Sequence, residues 1–283
     1  MAVKGPVRIS QKIIVPLCMV MITAALLAFF ERLPVRGPKA RVFTTSRMPT
    51  GEHFFTYRQR TAPMWAYRSL HAVPAIIWSV GMPLQHVDSL RRKWPALHRS
   101  AGYVLLSISL LLSITGAWLF IAKHAYSHEN LLHLHNLNGL SPVPWPTFEV
   151  TTWLVVPFYW LTMYKTAATA RARDFARHRR WAVMHTIWAS VISIERASLI
   201  LLYAVGVAMA LLPQAVVHDF FGVGYTVEEM AEAELSVFAF ANIIALATAL
   251  LWLRYEFGRA GGSETAGEKA PVPAENKRVK KGK

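Results

Sequence analysis

Six stretches of this chain are long and almost free of charge: roughly 13–30, 69–87, 102–122, 150–169, 182–212 and 235–253. A helix rises about 1.5 Å per residue, so about 20 apolar residues cross the hydrocarbon of a bilayer. Lipid offers the backbone no hydrogen-bond partners, so such a stretch is stable there only when its bonds close internally, as a helix. The predicted fold is therefore an all-α, polytopic membrane bundle with about six transmembrane helices. Composition agrees. Of the 283 residues 54% are hydrophobic and only 17% charged, where a soluble domain carries nearer a quarter of its residues charged.

The net charge of +15 would suggest nucleic acid in a soluble protein. Here the basic residues lie between and after the apolar runs, where orientation in an anionic-lipid bilayer accounts for them. The expected partner is the lipid bilayer, with no nucleic acid. Arg91, Arg92, Lys93 and Arg99 fill the 88–101 connection, and Arg171, Arg173, Arg177, Arg179 and Arg180 fill 170–181. By contrast, 123–149 has only Lys123, and 213–234 has no lysine or arginine. With six spans, this places both termini in the cytosol.

The expected organisation runs as follows: a cytosolic N-terminus at 1–12, a signal-anchor helix at 13–30 and a non-cytosolic interfacial loop at 31–68. A five-helix membrane domain follows at 69–253, with its core at 69–210, and then a disordered basic cytosolic tail at 254–283. The first run follows Lys4, Arg8 and Lys12 as a signal peptide would, yet Glu31-Arg32 follows it without a clean cleavage site, so it is read as retained. The 31–68 loop is basic and aromatic, against the charge rule, which suggests a segment lying along the interface. The lone cysteine, Cys18, excludes a disulfide framework and a thiolate zinc site.

Polar residues inside the spans carry whatever chemistry there is, because charge at that depth is costly. On a continuous fifth helix at about 100° per residue, His178, His185 and Arg196 form one stripe, with Arg196 about 27 Å from His178. Glu195 points about 100° away from Arg196, so a pair between them on one helix is not expected. In the second segment His71, Trp78 and Gln85 recur at intervals of seven and share a face. The third offers His98, Gly102, Ser109 and Gly116 on one face, where the glycines and serine permit close approach of a helix or a flat cofactor. Two polar layers follow. The outer holds His71, Arg196 and Glu195, and the inner holds His98, His178, His185 and Gln85 or His86.

Two basic-histidine signatures open the third and fifth spans: His98-Arg99-Ser100-Ala101-Gly102-Tyr103 and His178-Arg179-Arg180-Trp181. Histidines at one depth on facing helices suit a bis-imidazole b-type haem, with Arg99, Arg179 and Arg180 placed for the propionates. The same groups suit phospholipid phosphates equally. His124, His128, His133 and His135 have spacings that can hold zinc or copper. No carboxylate or cysteine is fixed beside them, so a solvated loop is the better expectation and no metal site is assigned.

The order of these pieces resembles the uncharacterised membrane proteins of the domain-of-unknown-function 2306 family. The resemblance rests on His71 opening a segment that ends Pro83-Leu84-Gln85, then Arg91-Arg92 and His98-Arg99 with Gly102, then His178-Arg179-Arg180-Trp181 and intramembrane Arg196. It covers roughly residues 65–205. It implies a multi-span helical membrane protein and supplies no reaction. One departure is Ala182-Val183-Met184-His185, where members often carry a further arginine, so His185 replaces or alters that contact.

Three functions fit these residues. The first is a cofactor-holding membrane protein with haem b on the cytosolic side, ligated by His98 and by His178 or His185. The second is a non-enzymatic protein that binds lipid headgroups or organises an assembly. The third is a small-solute or proton transporter using His71, Glu195 and Arg196. In a eukaryotic source, Lys280 and Lys281 near the C-terminus would form a dilysine retrieval address for the endoplasmic reticulum.

Overall fold

The computed structural model describes residues 8–30, 63–122, 132–136, 142–209, 211–213, 215, 216, 219 and 227–262. Each of the six apolar segments is helical. In chain order the elements are α1 (Gln11–Phe29), α2 (Met64–Tyr67), a π-helical turn (Arg68–Ala72), α3 (Val73–Gln85), α4 (Asp88–Lys93) and α5 (Pro95–Ile121). Then come β1 (Leu132–Asn136), β2 (Pro142–Pro146), α6 (Phe148–Arg171), α7 (Phe175–Ala189), α8 (Val191–Met209) and α9 (Val227–Gly262). Three helical stretches are long and apolar enough to cross a membrane: Pro95–Ile121, Phe175–Leu202 and Val237–Gly258. Large apolar side chains such as Leu110, Ile114, Ile200, Leu201, Leu250 and Leu251 stand exposed on them, as lipid-facing residues do.

Several boundaries differ from the sequence expectation. The 88–101 connection is not a loop, because α4 and the first turns of α5 occupy it. Pro95 starts α5 at a position where its missing N–H costs nothing. The 254–283 tail begins inside α9, which continues to Gly262. The fifth run is not one uniform helix. It divides at Ser190 into α7 and α8, where the Ser190 hydroxyl donates to the Thr186 carbonyl at 2.7 Å, a side-chain back-bond of the kind that bends helices. The 123–149 connection includes an antiparallel two-stranded ribbon, with His133 opposite Trp145 and His135 opposite Val143. His124, His128, Lys280 and Lys281 lie outside the described residues.

The second apolar segment packs by a seam with α5. Pro74 has no N–H to continue the α-helical ladder, and one turn earlier the backbone widens: the Val73 N–H reaches the Arg68 carbonyl across five residues. His71 sits in that turn, with its Nδ1 3.0 Å from Thr115 Oγ1. Two turns on, Trp78 Nε1 donates to Ser109 Oγ at 2.9 Å. At the far end Gln85 Oε1 lies 3.6 Å from where a Cβ on Gly102 would stand. The interval-of-seven stripe on one helix thus meets Thr115, Ser109 and Gly102 on an antiparallel neighbour. Its polar groups are sealed between helices, which is how a polar segment persists in lipid. Gly81 tightens the same seam, since a Cβ there would lie 2.8 Å from Leu105.

Around this seam α1 packs on α3 and α8, α6 on α7, and α9 on α6, α7 and α8. The main core joins Ile14, Cys18, Trp78, Met82, Val183, Ile187 and Trp252. On α9 the alanines Ala241, Ala245 and Ala249 are fully enclosed. Their four-residue spacing makes a smooth stripe that lets the helix approach its neighbours closely. Ala245→Leu should overpack this stripe and cost about 1–3 kcal/mol, measured as a lower melting midpoint in detergent. Leu250→Ala, on the exposed side of the same helix, should leave the midpoint nearly unchanged.

Candidate functional site

The basic connections converge at one end of the bundle. Asp88, at the start of α4, takes Arg91 at 3.0 Å, Arg8 at 3.3 Å and Arg179 at 3.3 Å. One carboxylate therefore ties the segment before α1, the α3–α5 connection and the start of α7. The α6–α7 turn supports this end. Arg173 adopts φ 58°, the left-handed conformation that lets a helix close. Asp174 then caps α7 by accepting the Arg177 backbone N–H at 3.0 Å. From the other side, Glu256 on α9 accepts the Ser10 backbone N–H at 2.7 Å and Trp252 Nε1 at 2.9 Å, which fixes the start of α1 beside the end of α9.

Between these elements lies a cavity of about 1790 Å³. His98, Arg99, His178, Arg179, Arg180 and His185 all line it, as do Gln85 and His86. The structure thus gathers the whole expected inner layer at one cavity. It also adds residues that sequence reasoning passed over: Arg8, Asp88 and Thr166. Seven arginines line the wall, with Asp88 the one carboxylate among the described residues there. With most of that positive charge uncompensated, the cavity is built to attract an anion.

The four histidines are not equivalent. Thr166 O can only accept, so His178 Nδ1, 3.0 Å away, carries the proton. In the neutral ring Nε2 then keeps its lone pair. An Nδ1–H held by a backbone carbonyl is the usual support of a metal-ligating imidazole. The Thr186 hydroxyl gives its proton to the Ala182 carbonyl at 2.8 Å, so His86 Nε2 must donate to it across 2.8 Å. His86 follows the end of α3, in the connection to α4.

His185 has both ring nitrogens engaged. Thr162 gives its proton to the Phe158 carbonyl at 2.7 Å, so His185 Nδ1 donates to Thr162 Oγ1 at a longer 3.4 Å. His185 Nε2 then accepts from Ser109 Oγ at 3.1 Å, while Ser109 Oγ accepts from Trp78. The chain Trp78, Ser109, His185, Thr162 is satisfied with a neutral imidazole and no spare lone pair. His185 therefore has no free ring nitrogen to offer a metal.

The outer layer forms separately. His71 and Arg196 both line a second cavity of about 590 Å³. Glu195 is fully buried and, contrary to the helical-angle expectation, pairs with Arg196 at 3.2 Å. The 100° offset applies to Cβ vectors, and the long arginine side chain bends back across it. Among the described residues no group of three or more His, Cys, Asp or Glu could hold a metal ion.

Comparison with family models, with curated proteins and with solved structures finds no match to this chain.

Ser109 is the junction of the polar chain. Ser109→Ala should strand the Trp78 N–H and His185 Nε2 inside the bundle, at roughly 1–3 kcal/mol for each group left unsatisfied. The expected result is a clearly lowered melting midpoint in detergent; a midpoint equal to the parent's would show that the chain is not stabilising.

Proposed function

We propose that the chain is a six-span integral membrane protein whose cytosolic-end cavity binds the phosphate of an anionic membrane lipid. One observation carries this function: seven arginines and one carboxylate line a single cavity at the end of the bundle where the basic connections meet. Guanidinium forks match phosphate oxygens in charge and geometry. The six-span topology has its own support. The segment before α1 meets the α3–α5 and α6–α7 connections at Asp88, and the end of α9 lies beside the start of α1. Both ends of the bundle's chain then share one side, as an even number of spans requires, and positive charge makes that side cytosolic.

A b-type haem is the second function, favoured by His178, whose Nδ1–H rests on a carbonyl, and by His98 on the same cavity wall. Those two would hold the iron, and the arginines would pair with the propionates. Transport has less behind it, because Glu195 and Arg196 balance each other's charge. Membership of the domain-of-unknown-function 2306 family is likewise a proposal. It is supported by the convergence of Gln85, Arg91, His98, Gly102 and His178, which carry the resemblance, on one cavity.

The test is the melting midpoint of the detergent-purified protein with phosphatidylglycerol or phosphatidylcholine added. Phosphatidylglycerol should stabilise, by about 2.7 kcal/mol when present at a hundred times its Kd. Arg99→Gln combined with Arg171→Gln should remove most of that gain, since both line the cavity and neither belongs to the Asp88 network. Equal stabilisation by both lipids would refute the assignment. An absorption spectrum decides the second function: a Soret band lost in His98→Ala and in His178→Ala supports haem, and a colourless protein from haem-replete cells excludes it.

A further inference from the structure

The charged wall of the basic cavity offers hydrogen bonds in one direction. Its seven arginines can only donate, and the Asp88 carboxylate is taken up by three of them. Against that wall His178 stands as an acceptor. Its Nδ1–H is committed to the Thr166 carbonyl at 3.0 Å, so the neutral ring carries its lone pair on Nε2. Nε2 has no hydrogen-bond partner among the described residues, and it is not one of the polar atoms sealed away from the surface. His178 is half-buried and lines the cavity, so this lone pair is open to an occupant. The second cavity, across the Trp78–Ser109–His185 chain, differs in kind: apolar and aromatic side chains wall most of it.

Given the anion site proposed above, on which this rests, we propose that the occupant is a phospholipid with a polyol headgroup, such as glycerol or inositol, one of whose hydroxyls donates to His178 Nε2. Two observations narrow the headgroup. The first is charge. Choline, ethanolamine and serine headgroups each carry a cationic nitrogen, which a wall of arginines repels. The second is the open acceptor. A bare phosphate monoester is a dianion above its second pKa of about 6 and can only accept. It would serve the arginines and leave Nε2 unmatched, as would a phosphate esterified to a plain alkyl group. A polyol phosphate supplies both partners: oxygens for the guanidinium forks and a hydroxyl for the imidazole. The cavity has room for it, since about 1790 Å³ exceeds the roughly 300–1,000 Å³ of ordinary small-molecule pockets.

The experiment follows the melting midpoint of the full chain in neutral detergent at pH 8, where an ordinary imidazole is neutral. Two lipids of equal charge and identical acyl chains are titrated: phosphatidylglycerol, and phosphatidylethanol, whose headgroup is a plain ethyl ester. Phosphatidylcholine is the reference. Both anionic lipids should raise the midpoint more than the reference does. The apparent Kd for phosphatidylglycerol should be about threefold to tenfold below that for phosphatidylethanol, the worth of one hydrogen bond. His178→Phe keeps a ring without the acceptor and should bring the two Kd values together. Equal Kd values in the parent, with both lipids ahead of phosphatidylcholine, would overturn the polyol assignment and leave the anion site standing. Neither lipid ahead of phosphatidylcholine would remove both. A preference for phosphatidylglycerol that survives in His178→Phe would also overturn the assignment, because the hydroxyl then meets some other group. Should His178→Phe fail to fold, the two lipids compared on the parent decide alone.

Discussion

Asp88 is the residue on which the basic end of the bundle depends. Arginines from three separate segments meet there, and like charges brought together in a partly enclosed space repel. One carboxylate within 3.0–3.3 Å of Arg91, Arg8 and Arg179 lets those segments close on one another. A single exposed ion pair contributes little. A shared anion linking three chain segments differs because its loss exposes mutual repulsion as well as three broken contacts. The remaining arginines line the cavity with no further carboxylate among the described residues there, and the proposed lipid phosphate would balance them.

The polar groups deeper in the bundle follow a different rule. Trp78, Ser109, His185 and Thr162 satisfy one another in a chain with one consistent direction of donation. Such a network fixes the register of α3, α5, α6 and α7 without any charge in the hydrocarbon. It also divides the interior into two spaces of contrasting chemistry, cationic on one side and aromatic on the other.

Much of this was legible in sequence because long apolar runs leave a strong mark. Apolar run length marked six helical segments, three of them long and apolar enough to cross a membrane, and intervals of seven placed His71, Trp78 and Gln85 on the face that meets α5. His98, His178 and His185, grouped from the sequence, line one cavity. What failed depended on side-chain reach and pairing. The Glu195–Arg196 pair was missed because helical angle ignores a long side chain. Asp88 was missed because its neighbours Arg91, Arg92 and Lys93 made the connection read as uniformly basic. The occupied nitrogens of His185 depend on Thr162 and Ser109, which lie 23 and 76 residues away; no local pattern predicts that. The break at Ser190 comes from a serine hydroxyl returning to its own helix, a choice that periodicity does not encode.

The most direct test of the account is the melting midpoint of Asp88→Asn, with and without phosphatidylglycerol. Alone in neutral detergent the variant should lose roughly 1–2 kcal/mol, the summed worth of its half-exposed pairs. Phosphatidylglycerol should then close the gap to the parent, because a lipid phosphate supplies the anion that the arginines have lost. A variant whose deficit is the same with the lipid as without it would contradict the claim that this end of the bundle is held together, and made to bind, by its need for anions.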